Sequence, residues 1–181
     1  MKALVLGNGP NLPEEIKGVN LDGYFIVRMN GWKPINANTR CNAWSSWPDP
    51  THREKYGRCE PMYDVEKYAE NCGELWFVHP GFLELALKKF KREPDFVLSP
   101  RVLRNINIEV GSEPNMGMLM IQACLEQKRF SEVYVAGFDF YESGNDYYFT
   151  TGKFDHLAHH QPDNKRWFME QINMGRIKRL K

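Results

Sequence analysis

Several things are scarce in this sequence. It holds no run of about 18 apolar residues, and no basic, apolar and small-residue leader pattern precedes its first apolar stretch. The expectation is a soluble, cytoplasmic chain. Charge of one sign is lacking too: formal net charge is +1 although 26% of residues are charged, so no global field calls for a nucleic-acid partner. Cysteine is limited to Cys41, Cys59, Cys72 and Cys124, with no CxxC spacing. That argues against a zinc knuckle and for free thiols in a reducing compartment. Cys41 and Cys59 flank one loop and are placed to pair if oxidised. No internal repeat or low-complexity segment divides the 181 residues, which predict one domain able to bury a core without staples.

What is present is organised around the first thirty residues. Ala3-Leu4-Val5-Leu6 is a short apolar run closed by Gly7-Asn8-Gly9-Pro10, the pattern of a buried strand ending in a tight turn. Glycines there let the backbone approach a ligand closely, and the amides of such a turn can point at phosphate oxygens. The plainer alternative is a turn that only reverses the chain. A second strand, Tyr24-Phe25-Ile26-Val27, runs into Arg28-Met29-Asn30-Gly31. Two strands ending in polar, glycine-bearing loops predict a ligand crevice at the carboxyl edge of an α/β sheet. Neither familiar phosphate motif fits: Leu12 stands where a dinucleotide fingerprint has its third glycine, and no Gly-Lys-Ser/Thr follows.

Residues 33–63 read as a long irregular loop, broken by Pro34, Pro48, Pro50 and Pro61. Trp44, Trp47 and Tyr56 within it either stack on a sugar face or plug the loop onto the core. Leu75–Val78 and Phe96–Leu98 are further strand candidates. Between them Phe82–Arg92 reads as a helix with Phe82, Leu85, Ala86 and Phe90 on one face, stopped by Pro94. His79 reads as a structural residue.

A helix is expected to open at Asn115-Met116-Gly117 and run to about Lys128, burying Leu119, Ala123 and Leu125. A polar residue and a glycine at a helix start make an anion site, because the first amides are unpaired and the dipole favours negative charge. The strand Val133–Ala136 follows, ending in Gly137-Phe138-Asp139-Phe140-Tyr141. Next come Tyr147-Tyr148 and then His156, His159 and His160, with Pro162 in the first turn of a terminal helix over 162–181. Asp155, the three histidines and Asp163 are either metal ligands or a polar loop, and their spacing matches no familiar metal signature. Six basic residues against Glu170 alone within 165–181 predict a solvated basic helix face. They also allow weak contact with an anionic membrane surface.

Two of these regions resemble the sialyl motifs of the sialyltransferases. Gly7-Asn8-Gly9, Leu12, Gly18, Asp22 and Arg28-Met29-Asn30 stand in the order of the large motif. The helix from Asn115 and the strand ending in Gly137-Phe138-Asp139-Phe140-Tyr141 are similar to the small motif, with the Gly-x-Asp-Phe-Tyr ending of the bacterial enzymes. The resemblance runs from Lys2 to about Glu170. It implies a single Rossmann-like α/β domain with a mostly parallel sheet, helices on both faces and a glycosyltransferase A-like arrangement. It further implies an inverting transfer of sialic acid, or a related sugar, from a CMP-sugar to a glycan hydroxyl, without a metal or cofactor.

Nucleotide-sugar binding would then fall to Gly7, Asn8, Gly9, Asn11, Asn30, Asn115, Met116, Gly117, Gly137 and Asp139. Aligned on Asp-Phe-Tyr, the catalytic tyrosines fall on Tyr141 and Tyr147; aligned on the final helix and Glu170, the catalytic histidine falls on His160. Tyr148 and His159 are one residue away. The chain has no Asp-x-Asp, the element with which metal-dependent glycosyltransferases hold a divalent ion.

The sequence also departs from the family. The disulfide of the animal enzymes aligns with Ala3 and Ser131, and the Ser/Thr pair that grips the donor carboxylate is Asn115-Met116. Methionine has no donor to offer there, which leaves open a non-catalytic nucleotide-sugar binder. A dinucleotide-dependent oxidoreductase is the more distant alternative.

Overall fold

A computed structural model describes residues 1–35, 40–48, 64–140, 142 and 161–180. Seven strands form one sheet: β1 (Lys2–Leu6), β2 (Tyr24–Met29), β3 (Ala43–Ser45), β4 (Glu74–Phe77), β5 (Phe96–Val97), β6 (Glu132–Ala136) and β7 (Lys178–Arg179). Their order is β5-β4-β3-β2-β1-β6-β7 and every pairing is parallel. The chain fills one side of β1 in sequence from β2 to β5, then crosses to the other side with β6. The sheet's direction of growth therefore reverses at β1, between β2 and β6.

Parallel strands are covered on both faces, which is why β1 and β2 read as continuous apolar runs. Ala3 and Val5 point into one core with Val27, Trp76, Val133 and Val135, while Leu4 and Leu6 point into the opposite one with Ile26, Leu12 and Ile16. The first core is closed by three helices: α4 (Pro100–Val110), α5 (Met116–Glu126) and α6 (Gln161–Asn173). The second face carries the four-residue α1 (Leu12–Glu15). A third cluster, around Trp44, Leu75, Phe77 and Phe90, is closed by α2 (Val65–Asn71) and α3 (Leu83–Phe90). From Met116 to Cys124 every residue of α5 is buried, so this helix is the spine of the larger core rather than an amphipathic cover.

Several expectations need correction. The stretch 33–63, read as wholly irregular, contains β3. It is three residues long and flanked by asparagine, serine and proline, so it shows no periodicity of its own; pairing with β2 and β4 creates it. The helix over 162–181 stops at Asn173. Gly175 turns it in the left-handed region (φ 70°), and the chain returns as β7 beside β6.

The basic residues near the C-terminus consequently go to separate partners instead of one helix face. Lys178 pairs with Glu132, the Arg166 guanidinium donates to the carbonyls of Val110 (2.6 Å) and Glu109 (3.2 Å), and Arg179 lies over the Phe168 ring. On α3 only Ala86 and Phe90 are buried, and Phe82, one residue ahead of it, is 48% exposed. Helix α4 went unread, although Ser99 caps it by accepting from the Val102 N–H (3.2 Å) and Gly111 ends it at φ 82°. No helix among the described residues is long and apolar enough to cross a membrane.

Candidate active site

A cleft opens where the sheet reverses, at the carboxyl ends of β1, β2 and β6. In open α/β sheets this is where ligands bind, because the adjacent loops diverge to opposite faces. Gly7, Asn8 and Gly9 line it from β1, Met29 and Asn30 from β2, and Gly137, Phe138, Asp139 and Phe140 from β6. Asn115, Met116 and Gly117, at the start of α5, form its remaining wall.

The glycines of the β1 turn have a concrete task. The Gly7 N–H donates to the Ala136 carbonyl (2.8 Å) and the Gly9 N–H to the Gly137 carbonyl (2.9 Å), so the parallel ladder continues beyond both strands. A Cβ on Gly9 would stand 2.8 Å from the Gly137 oxygen, and Gly137 itself is left-handed at φ 75°. Glu15 of α1 fastens the two loops from behind: its carboxylate accepts from the Gly137 N–H (2.7 Å) and from Asn11 Nδ2 (2.6 Å).

Asn8 spans the other gap. Its amide donates to the carbonyls of Met29 (3.1 Å) and Gly31 (3.0 Å), tying the β1 turn to the β2 turn, while its buried Oδ1 has no partner among the described residues. Asn30 is left-handed at φ 52°, a conformation asparagine tolerates better than most residues. Its carbonyl accepts from Trp44 Nε1 (2.9 Å) and its Oδ1 from Ser46 (3.4 Å). Phe140 is left-handed as well, at φ 54°. Two of the three non-glycine residues with positive φ among those described therefore line this cleft, the clustering expected of a functional site.

The wall from α5 begins with its N-cap, Asn115, whose Oδ1 accepts from the Met118 N–H (3.1 Å). The amides of Met116 and Gly117 precede the first i→i−4 bond and so remain available at the positive end of the helix. Gly117 is needed because a Cβ there would stand 2.5 Å from the Phe138 ring. That ring is held in turn by Phe168 of α6, 5.3 Å away between centroids.

Nine of the ten residues assigned to nucleotide-sugar binding thus meet at one cleft. Asn11 is the exception: its side chain turns to Glu15 and it does not line the cleft. Tyr141, Tyr147 and His160 lie outside the described residues, as do Tyr148, Asp155, His156, His159, Tyr56 and Cys59. The choice left open for Trp44 falls to the core. It is fully buried, stacked on Tyr68 at 5.6 Å and bonded to Asn30. Trp47 packs edge-on against His79 (4.8 Å) and Phe82 (4.7 Å).

Sequence reasoning missed Met29, Phe138, Phe140 and Glu15. The phenylalanines sit inside the Gly-x-Asp-Phe-Tyr run, but nothing in their type separates a cleft wall from core.

Among the described residues, the clearly shifted ionisable groups lie away from the cleft. Burial pushes the Cys41 thiol up to about 12 and the Cys124 thiol higher still, and Arg129 holds the Glu74 carboxyl below its usual range.

No protein-family profile matches the chain, and no curated protein matches it in sequence. Solved structures do match in shape. The sialyltransferase CstII from Campylobacter jejuni, in complex with the substrate analogue cytidine-5'-monophosphate, is 18% identical; the match covers 98% of this chain and 78% of that one, with a TM-score of 0.63. The monofunctional alpha-2,3-sialyltransferase Cst-I from Campylobacter jejuni is 16% identical over 99% and 75%, with a TM-score of 0.62. A mammalian sialyltransferase in complex with Gal-beta-1-3GalNAc-ortho-nitrophenol is 14% identical over 98% and 68%, with a TM-score of 0.63. The all-parallel α/β fold of this chain is the fold of these sialyltransferases.

Proposed function

We propose that the protein is an inverting, metal-independent glycosyltransferase that moves sialic acid, or a related sugar, from a CMP-sugar to a glycan hydroxyl. The observation that carries this reading is the cleft at the sheet's reversal point. It joins the Gly-Asn-Gly turn, Asn30 and the N-terminus of α5 in a fold shared with enzymes solved with CMP and with acceptor sugars.

The chemistry divides among these residues. The start of α5 is electropositive and holds an anionic group of the donor through the amides of Met116 and Gly117. The Asn30 carboxamide and the backbone of the Gly7–Gly9 turn hold the nucleotide. Loss of CMP leaves charge on the departing phosphate, which the hydroxyls of Tyr141 and Tyr147 stabilise by hydrogen bonds. His160 takes the proton of the acceptor hydroxyl as it attacks the anomeric carbon; an imidazole titrating near neutrality suits that role. Attack opposite the leaving group inverts the anomeric centre.

Met116 favours one second reading, a CMP-sugar binder without catalysis, because its side chain adds no donor at the helix start. A dinucleotide enzyme is disfavoured by α1. Only four residues long and opening with the buried Leu12, it lacks the helix on which a pyrophosphate is seated.

Titration calorimetry with CMP, CMP-sialic acid and NAD tests the binding, and turnover of CMP-sialic acid with galactose-terminated acceptors tests the catalysis. CMP binding with turnover supports the enzyme; CMP binding without turnover on any acceptor supports the binder. NAD binding without CMP binding overturns both.

A further inference from the structure

We infer that Asn164 is a positioning residue for the anion-holding end of α5, an inference that rests on reading the cleft as a CMP-sugar site. Asn164 belongs to the first turn of α6 and is fully buried. Its Oδ1 accepts the backbone N–H of Asn115 at 2.9 Å, and its Nδ2 reaches the Glu113 carbonyl at 3.5 Å. The link spans 49 residues of sequence.

The arrangement is a relay of two carboxamides. Asn164 satisfies the amide of the N-cap residue from outside the helix. With its backbone held, Asn115 can turn its own Oδ1 inward to the Met118 N–H. Between those two bonds lie the amides of Met116 and Gly117, on the cleft wall and without an i→i−4 acceptor. Phe138 flanks the helix end closely: a Cβ on Gly117 would stand 2.5 Å from its ring.

A half-buried N–H left without an acceptor is costly unless water reaches it. Without the Asn164 carboxamide, the Asn115 N–H regains a partner only if the turn at 113–115 moves toward water, and the start of α5 moves with it. Asn164 touches no ligand itself. It acts by aiming two amides at an anion, either the donor's phosphate or the carboxylate of a sugar acid.

The test compares wild type with Asn164→Leu, which is close in size but cannot accept, and Asn164→Asp, which keeps the acceptor. Each is titrated with cytidine, which carries neither anion, with CMP, which carries the phosphate, and with CMP-sialic acid, which carries both. Asn164→Leu is expected to bind an anionic ligand at least about tenfold more weakly while cytidine changes less than about twofold. A loss already present with CMP assigns the phosphate; a loss confined to CMP-sialic acid assigns the carboxylate. Asn164→Asp is expected to lose less than Asn164→Leu. Should Asn164→Leu not fold, Asn164→Ser, too short to reach the Asn115 amide, takes its place with the same expectations. Equal losses for all three ligands overturn the inference, because they mean general damage rather than aim. Unchanged affinities in the Leu variant overturn it while leaving the cleft assignment intact, whereas a wild type that binds none of the three removes the cleft assignment itself.

Discussion

Gly7 and Gly137 touch backbone to backbone: a Cβ built on Gly7 would stand 2.2 Å from the Gly137 carbonyl oxygen and 2.9 Å from its carbon. Neither atom belongs to a flexible side chain that can step aside. The turn after β1 therefore needs glycine for internal packing as well as for access to a ligand. Gly7→Ala is expected to destabilise the fold by about 1–3 kcal/mol, the usual cost of forcing atoms into a packed site, and to weaken CMP binding in parallel. Gly23→Ala is the control, since a Cβ there meets nothing within 4 Å, and it should stay within about 0.5 kcal/mol of wild type. Urea unfolding of both variants measures this, and equal stabilities would contradict the packing account.

Asn30 combines a left-handed backbone with a cleft-lining side chain, so its substitutions separate two effects. Asn30→Ala should weaken CMP by about 1–3 kcal/mol if its carboxamide bonds the nucleotide. Asn30→Gly removes the same carboxamide but relaxes at φ 52° without strain. Matching losses place the effect in the side chain. A glycine variant that binds like wild type places it in the backbone.

His160→Ala is expected to slow transfer by about 10²–10⁴-fold, the contribution of a positioned base, with CMP affinity nearly unchanged. His159→Ala should be mild. The reverse pattern shifts the assignment by one residue, and two active variants remove it.

Transfer should survive EDTA, because tyrosine hydroxyls rather than a divalent ion are assigned to the leaving phosphate. Abolition by the chelator and recovery with Mg²⁺ or Mn²⁺ would sink that assignment.

The Cys41 thiol carries a pH signature away from the cleft. Burial, followed by the nearby Cys72, raises it from 9.0 to about 12. Between those values the folded state retains a proton that the unfolded chain has released, so unfolding takes up no proton and instead gives one off. The stability associated with this thiol is complete below about pH 9 and is lost as pH climbs toward about 12. Cys41→Ser should flatten that part of the stability curve in denaturant titrations run across this range.

What the sequence reveals of this molecule follows from where the signal resides. The strands Lys2–Leu6, Tyr24–Met29 and Glu132–Ala136 are legible because both their faces are buried and their apolar runs are bounded by glycine or polar turns. The cleft is legible through those same turns. Strand β3 is not, since three residues carry no periodicity and the strand exists only through its neighbours. Helix α4 has readable ends in Ser99-Pro100 and Gly111, but its charged and asparagine positions dilute the apolar stripe of Val102, Leu103, Ile106 and Val110. The orientation of Asn11 was not legible because a short polar side chain beside a cleft can face either way, and Glu15, one helical turn on, claims its amide. Asn164 carries no local sign at all: a buried carboxamide is intelligible only once its distant partner is known.

The reversal of the sheet at β1 also sets the order in which the cleft can come into being. The opening strand of the chain is flanked on one side by β2, available almost at once, and on the other by β6, whose approach brings Ser131 to Met1 across 130 residues. A nascent chain emerging from the ribosome can pair β1 with β2 early, but it lacks half of the cleft until Gly137 and its neighbours have been synthesised. The edge of β1 that β6 will occupy stays unpaired in the interval, and closing so long a loop is slow. A ligand held between the two turns would reward the joining of β6 to β1, so the proposed CMP binding would report when the cleft itself has assembled.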